Sequence, residues 1–156
     1  KKVLDVCLDE IDRCKPPMVV ILGYRYGWIP ETGMIKTAAD RKKLELDDLN
    51  KSVTALEIEY GALADNDKFS HTLFYFREIE GTAPEDYQSE DSEHAAKVKA
   101  LKERIMEKTG GKIKNYTLKW NGNGFDGIQE FAEMLAEDIK AMLLPQWKET
   151  EKLTPL

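Results

Sequence analysis

Apolar residues recur at steps of three and four from Val3 to Cys14. Val3, Leu4, Cys7, Leu8, Ile11 and Cys14 share one side, and Asp5, Asp9, Asp12 and Arg13 fall between them. This spacing predicts an amphipathic helix. Pro16-Pro17 ends it, because the residue before a proline avoids the helical region and proline supplies no N–H. Met18 to Gly23 is instead short, continuous and β-branched, without alternation. That pattern suits a strand covered on both faces, as in the middle of a parallel sheet.

Residues 31–51 are polar and irregular, and read as a surface insertion with a short helix near Arg41 to Leu44. Val53, Leu56, Tyr60 and Leu63 give the stripe of a helix over 53–64. Thr72 to Arg77 reads as a second buried strand, followed by an acidic loop over 78–90 containing Pro84. Ala95, Val98, Leu101 and Ile105 mark a charged helix over 92–108, which Gly110-Gly111 ends. Tyr116 to Trp120 alternates and reads as an edge strand. After the turn Asn121-Gly122-Asn123-Gly124, Ile128, Phe131, Leu135, Ile139 and Met142 predict a last helix closed by Pro145.

Strands alternating with helices imply crossover connections and a mostly parallel sheet in an α/β fold with helices on both faces. Only three strands emerge and the order opens on a helix, so the expected fold has a further, first strand ahead of Lys1. Residues 1–145 are expected to form one N-terminally incomplete domain, and 146–156 a tail or linker.

Composition narrows the function classes. The chain has 156 residues, 42% hydrophobic and 33% charged, which is enough to fill one core. Its 23 Lys and Arg against 29 Asp and Glu give −6, a poor balance for a general nucleic-acid surface. No apolar run approaches the roughly 20 residues of a membrane span. Cys7 and Cys14 lie two helical turns apart, about 10 Å, too far for a disulfide within one helix. These features predict a cytoplasmic protein with neither nucleic acid nor membrane as partner.

The candidate chemistry gathers just beyond the first strand. Gly23-Tyr24-Arg25-Tyr26-Gly27-Trp28 places aromatics and a cation where open α/β sheets bind ligands. Arg25 can grip a phosphate or stack on a base, or simply cover the sheet's end by cation–π contact. Arg77 ends the second strand and points either into the same crevice or into a salt bridge with Glu78 or Glu80. Glu57 has two readings: the capping partner in Thr54-x-x-Glu57, or a cleft-facing carboxylate. His71 and His94 have no metal-like company, and no zinc pattern, phosphate-binding Walker loop or dinucleotide fingerprint is present.

Four ordered motifs carry a family resemblance. They are Val6 to Cys14, Leu22 to Pro30, Ser52-Val53-Thr54-Ala55-Leu56-Glu57-Ile58, and Leu73 to Arg77. Together they resemble the TIR-like domain of unknown function that precedes NACHT-type ATPase modules and TPR or WD repeats, as in nephrocystin and telomerase-associated proteins. The resemblance implies a TIR-like or flavodoxin-like sheet and a signalling or assembly domain that makes protein contacts or self-associates. It implies, as the alternative, an NAD-cleaving effector with NAD as substrate. In that alternative Glu57 is catalytic, holding a ribose hydroxyl while positive charge develops on the sugar. Tyr24, Arg25, Trp28, Ser52 and Arg77 are then the ligand-binding residues. Val53 and Thr54 stand where TIR domains carry tryptophan and cysteine. No cofactor or metal is otherwise implied.

Overall fold

The computed structural model describes residues 3–14 and 18–152, the last seven of these as backbone helix only. Pro16-Pro17 and residues 153–156 of the expected tail lie outside the described residues. In chain order the elements are α1 (Val3–Cys14), β1 (Met18–Leu22), α2 (Thr32–Lys42), α3 (Val53–Ile58), a π-helical turn (Glu59–Leu63), α4 (Asn66–Ser70), β2 (Thr72–Glu80), a 3₁₀ turn (Glu85–Tyr87), α5 (Ser92–Thr109), β3 (Lys114–Trp120), β4 (Phe125–Asp126) and α6 (Ile128–Lys152).

The sheet runs β1-β2-β3-β4. β1 and β2 are parallel with Met18 beside Thr72 and Leu22 beside Phe76. β2 and β3 are parallel with Arg77 beside Tyr116, and β4 returns antiparallel against Trp120. Both parallel connections step the same way across the sheet, so right-handed crossovers place α3 and α5 on one face. Val20, Leu22, Phe74 and Phe76 meet Ala55, Ile58, Val98, Leu101 and Ile105 there in one core. α6 takes the other face, where Phe131 stacks on Tyr116 and meets Tyr75 edge-on. The result is the α/β fold with a mostly parallel, helix-flanked sheet that the alternating pattern predicts, and it is consistent with a flavodoxin-like arrangement.

A second core lies outside this one. Leu4 and Leu8 of α1 pack with Ile35, Ala38 and Leu56. Residues 31–51 are therefore more than a surface insertion, because eleven of them form α2, with Ile35, Ala38 and Ala39 buried. Its last turn is fixed by charge. Arg41 reaches Asp5 and Asp9 at 3.0 and 2.6 Å, and Lys42 reaches Asp9 at 2.8 Å. The acidic positions between the apolar residues of α1 thus dock α2.

Four boundaries differ from expectation. Arg77 does not end the second strand, because β2 pairs with β3 through Glu80, three residues into the expected loop. The helix after β1 is capped by Ser52, whose hydroxyl accepts from the Ala55 N–H at 3.1 Å, so Thr54-x-x-Glu57 is not the capping box. β3 is not an edge, since β4 pairs beyond it. α6 passes through Pro145 instead of closing there.

Candidate functional site at the carboxyl rim of the sheet

The segment after β1 folds back over the ends of β1 and β2. Tyr24 lies on the α5 side, where its hydroxyl donates to Glu78 Oε2 at 2.7 Å and accepts from the Ile79 N–H at 3.1 Å. Burial and the neighbouring Glu78 carboxylate raise the Tyr24 pKa above its ordinary value. Tyr24 thereby ties the loop to the last turn of β2.

Arg25, Tyr26 and Gly27 converge on one carboxylate. Glu90 accepts from Arg25 Nε at 3.2 Å, from the Tyr26 N–H at 3.2 Å and from the Gly27 N–H at 3.3 Å. Gly27 has φ +90°, a conformation that a side chain would strain, and this turn aims both N–H groups the same way. Burial alone would raise the Glu90 pKa, but backbone N–H donors and Arg25 outweigh it and hold the carboxyl below its usual range. The phosphate-gripping role open to Arg25 is occupied here by an internal acid.

Trp28 stands out from the surface, 58% exposed, while its carbonyl accepts from the Val53 N–H at 3.0 Å. Ser52 is fully buried and spent on its helix cap. Arg77 makes neither of the salt bridges weighed for it. The strand pleat sends Glu78 and Glu80 to the opposite face, and no ion pair joins Arg77 to any described residue. Its guanidinium lies across Gly23 and 6.0 Å from the Tyr87 ring.

Glu57 is not brought together with this group. It is half-buried beside Cys7 of α1, and burial followed by the Glu57 hydrogen bond raises the Cys7 thiol pKa. No hydrogen bond or ion pair links Glu57 to Tyr24, Arg25 or Trp28 among the described residues. The structure thus sets Tyr24 and Arg77 near the end of β1 on opposite faces of the sheet, and gives Arg25 to Glu90. It leaves Trp28 facing solvent and turns Glu57 toward another helix.

Two features escape the sequence reading. Glu59 is 4% exposed and held by Arg104 at 2.9 Å, with Lys51 at 3.8 Å. Burial raises its pKa despite these cations. Its π-helical turn has no signature in a 3.6-residue stripe. The other feature is a cavity of about 610 Å³ beneath Tyr24, walled by Phe76, Val98 and Met106. Lys102 sits there with its amine 5.5 and 5.3 Å from the Tyr24 and Phe76 ring centres, and burial lowers its pKa. An aromatic after β1 facing a lysine on α5 was the available signal. Among the described residues, no group of three or more His, Cys, Asp or Glu could hold a metal ion. None of their helices is long and apolar enough to cross a membrane.

Comparison with known proteins places the chain. It is 26% identical to the Mus musculus protein Telomerase protein component 1 over 156 residues, covering 92% of this chain and 6% of that protein. Its identity to the Rattus norvegicus protein of the same name is 25% over 153 residues, covering 90% of this chain and 6% of that protein. The chain therefore spans a small part of these relatives' length. No solved structure matches it. A family match covers residues 1–123, and the chain belongs to the family described as Domain of unknown function (DUF4062).

Proposed function

We propose that this chain is a TIR-like assembly domain of a larger, NACHT- or repeat-containing cytoplasmic protein, making protein contacts through the rim around Trp28. The observation that carries the reading is an exposed indole on a fixed backbone. Trp28 is 58% exposed, yet Val53 bonds its carbonyl, Glu90 bonds the preceding N–H, and Ile29 after it packs into both cores. A large aromatic held ready outside the core is the anchor type that dominates interface energetics, and prior ordering lowers the cost of binding. Two relatives named as a telomerase protein component, of which this stretch is 6%, support a place within a larger assembly.

The NAD-cleaving alternative has less in its favour. Its carboxylate, Glu57, is turned toward Cys7 rather than toward the aromatic loop. The two readings part in one experiment. In sedimentation of the full-length protein, the wild type gains mass with concentration, and Trp28→Ala requires roughly 30-fold more protein to do so, as for a hot-spot tryptophan worth about 2 kcal/mol. Unchanged association in that variant, with nicotinamide released from NAD and lost in Glu57→Gln, would replace assembly with catalysis.

A further inference from the structure

Among the described residues, Arg77 is a cation without a counter-ion at the sheet's rim. Its Nε is buried and has no hydrogen-bond partner among the described residues, and no carboxylate pairs with the side chain. Its acidic neighbours are taken or turned away: Glu78 holds the Tyr24 hydroxyl, and Glu90 holds Arg25 and the Tyr26 and Gly27 N–H groups. Leaving that one buried N–H without an acceptor costs about 1–3 kcal/mol, and no described carboxylate balances the charge, so an oxyanion is its natural complement.

The surroundings are shaped to keep it there. Leu22 pairs with Phe76, so Gly23, just past the end of β1, lies beside Arg77 of β2, which runs on to Glu80. A Cβ on Gly23 would come within 2.9 Å of Arg77 Cζ, so only glycine admits the guanidinium to this position. Tyr87 lies 6.0 Å away across the ring face, and Tyr116 is the β3 partner of Arg77. Arg77 is half-buried as a residue, which leaves part of it open to solvent. The Nη groups are not among the buried unpartnered atoms, so they are the charged N–H donors that a carboxylate or phosphate meets.

We infer that Arg77, laid against Gly23, forms the binding site for an oxyanion, a phosphate or carboxylate group, at the carboxyl ends of β1 and β2. The site stands on the orphaned guanidinium and is independent of whether Trp28 anchors an assembly. A phosphate comes from a free ligand. A carboxylate comes from such a ligand or from elsewhere in the longer protein.

The test uses full-length protein with Arg77→Lys and Arg77→Met, titrated with inorganic phosphate and pyrophosphate by calorimetry, and with the domain's thermal midpoint recorded for each. A free phosphate ligand is shown by pyrophosphate binding that weakens roughly tenfold or more in Arg77→Lys and vanishes in Arg77→Met, the loss expected for one charge-assisted hydrogen bond. A carboxylate supplied by the protein is shown by no phosphate binding, a lowered midpoint in Arg77→Met and partial recovery in Arg77→Lys. No binding together with an unchanged or raised midpoint in Arg77→Met overturns the site, because an apolar residue would then replace an uncompensated charge without loss.

Discussion

Removing one hydroxyl from the centre of the sheet tests how α6 is held. Tyr75 is 1% exposed, and its hydroxyl donates to Asp138 Oδ2 of α6 at 2.5 Å. Lys114 of β3 reaches the other oxygen of the same carboxylate at 2.6 Å. Tyr75→Phe keeps the ring and its edge contact with Phe131, 5.4 Å between centres, but leaves one carboxylate oxygen without its donor. A hydrogen bond to a charged group contributes about 1.5–3 kcal/mol. For a domain of this size, a loss of about 2 kcal/mol lowers the thermal midpoint by roughly 4–8 °C.

The pH dependence of that loss has a definite sign. Burial would raise the Asp138 pKa, but Lys114 and Tyr75 outweigh it and leave it lowered. A carboxyl lowered on folding contributes stability that is present above its unfolded value and lost as pH falls through its folded one. The difference between Tyr75→Phe and wild type is therefore full at pH 7 and shrinks as pH falls below 3.8, the ordinary value. Tyr75 itself is raised by burial and by Asp138, so wild-type stability is complete below pH 10.0 and declines as the hydroxyl titrates above it. Urea denaturation of both proteins at pH 7 and pH 3 reads these changes. A difference under about 0.5 kcal/mol at pH 7, or one equal at both pH values, would refute the role given to this hydrogen bond.

Four further substitutions, one of them a control, probe the other packed faces. Ser52→Ala removes the buried cap of α3 and costs about 1–2 kcal/mol in chemical denaturation, whereas Thr54→Ala costs much less. Gly61→Ala places a methyl 2.7 Å from Met18 Sδ and 3.1 Å from Ile11 Cγ2, an overpacking cost of about 1–3 kcal/mol by the same measurement. Arg104→Ala strips the nearer cation from Glu59 and costs about 1–2 kcal/mol at pH 7, discounted because Arg104 is 48% exposed. Glu59 is already raised by burial, so that cost grows as pH rises above 4.5 and disappears once the carboxyl is protonated in both states.

The elements legible in the sequence are those with a strong period or none. Val19-Val20-Ile21-Leu22 has no polar break, and a strand between neighbours needs none. α5 shows Val98, Leu101 and Ile105 at helical steps and ends on Gly110 at φ +59°. α2 is hidden in the sequence because its buried face holds one large residue, Ile35, beside Ala38 and Ala39, and alanine weighs little in a hydrophobic stripe. β4 has two residues, too few to show alternation. Ser52 and Thr54 both carry the oxygen a cap requires, and only the backbone decides which one closes the turn. Among the candidate residues, the strand-end position placed Tyr24, Arg25 and Arg77 near one another. It could not show that Glu90, 65 positions beyond Arg25, takes that arginine, nor that the buried Nε of Arg77 finds no hydrogen-bond partner among the described residues.

The rim depends on β1 ending beside Phe76, so that Gly23 meets Arg77 of β2. Proton NMR of isotopically labelled protein tests this most directly, through cross-strand nuclear Overhauser effects between Val20 and Phe74 and between Gly23 Hα and the Arg77 guanidinium. Parallel pairing in this register gives both, because Val20 stands beside Phe74 and the guanidinium lies across Gly23. An antiparallel pattern between the strands, or a parallel one with Arg77 remote from Gly23, would contradict it.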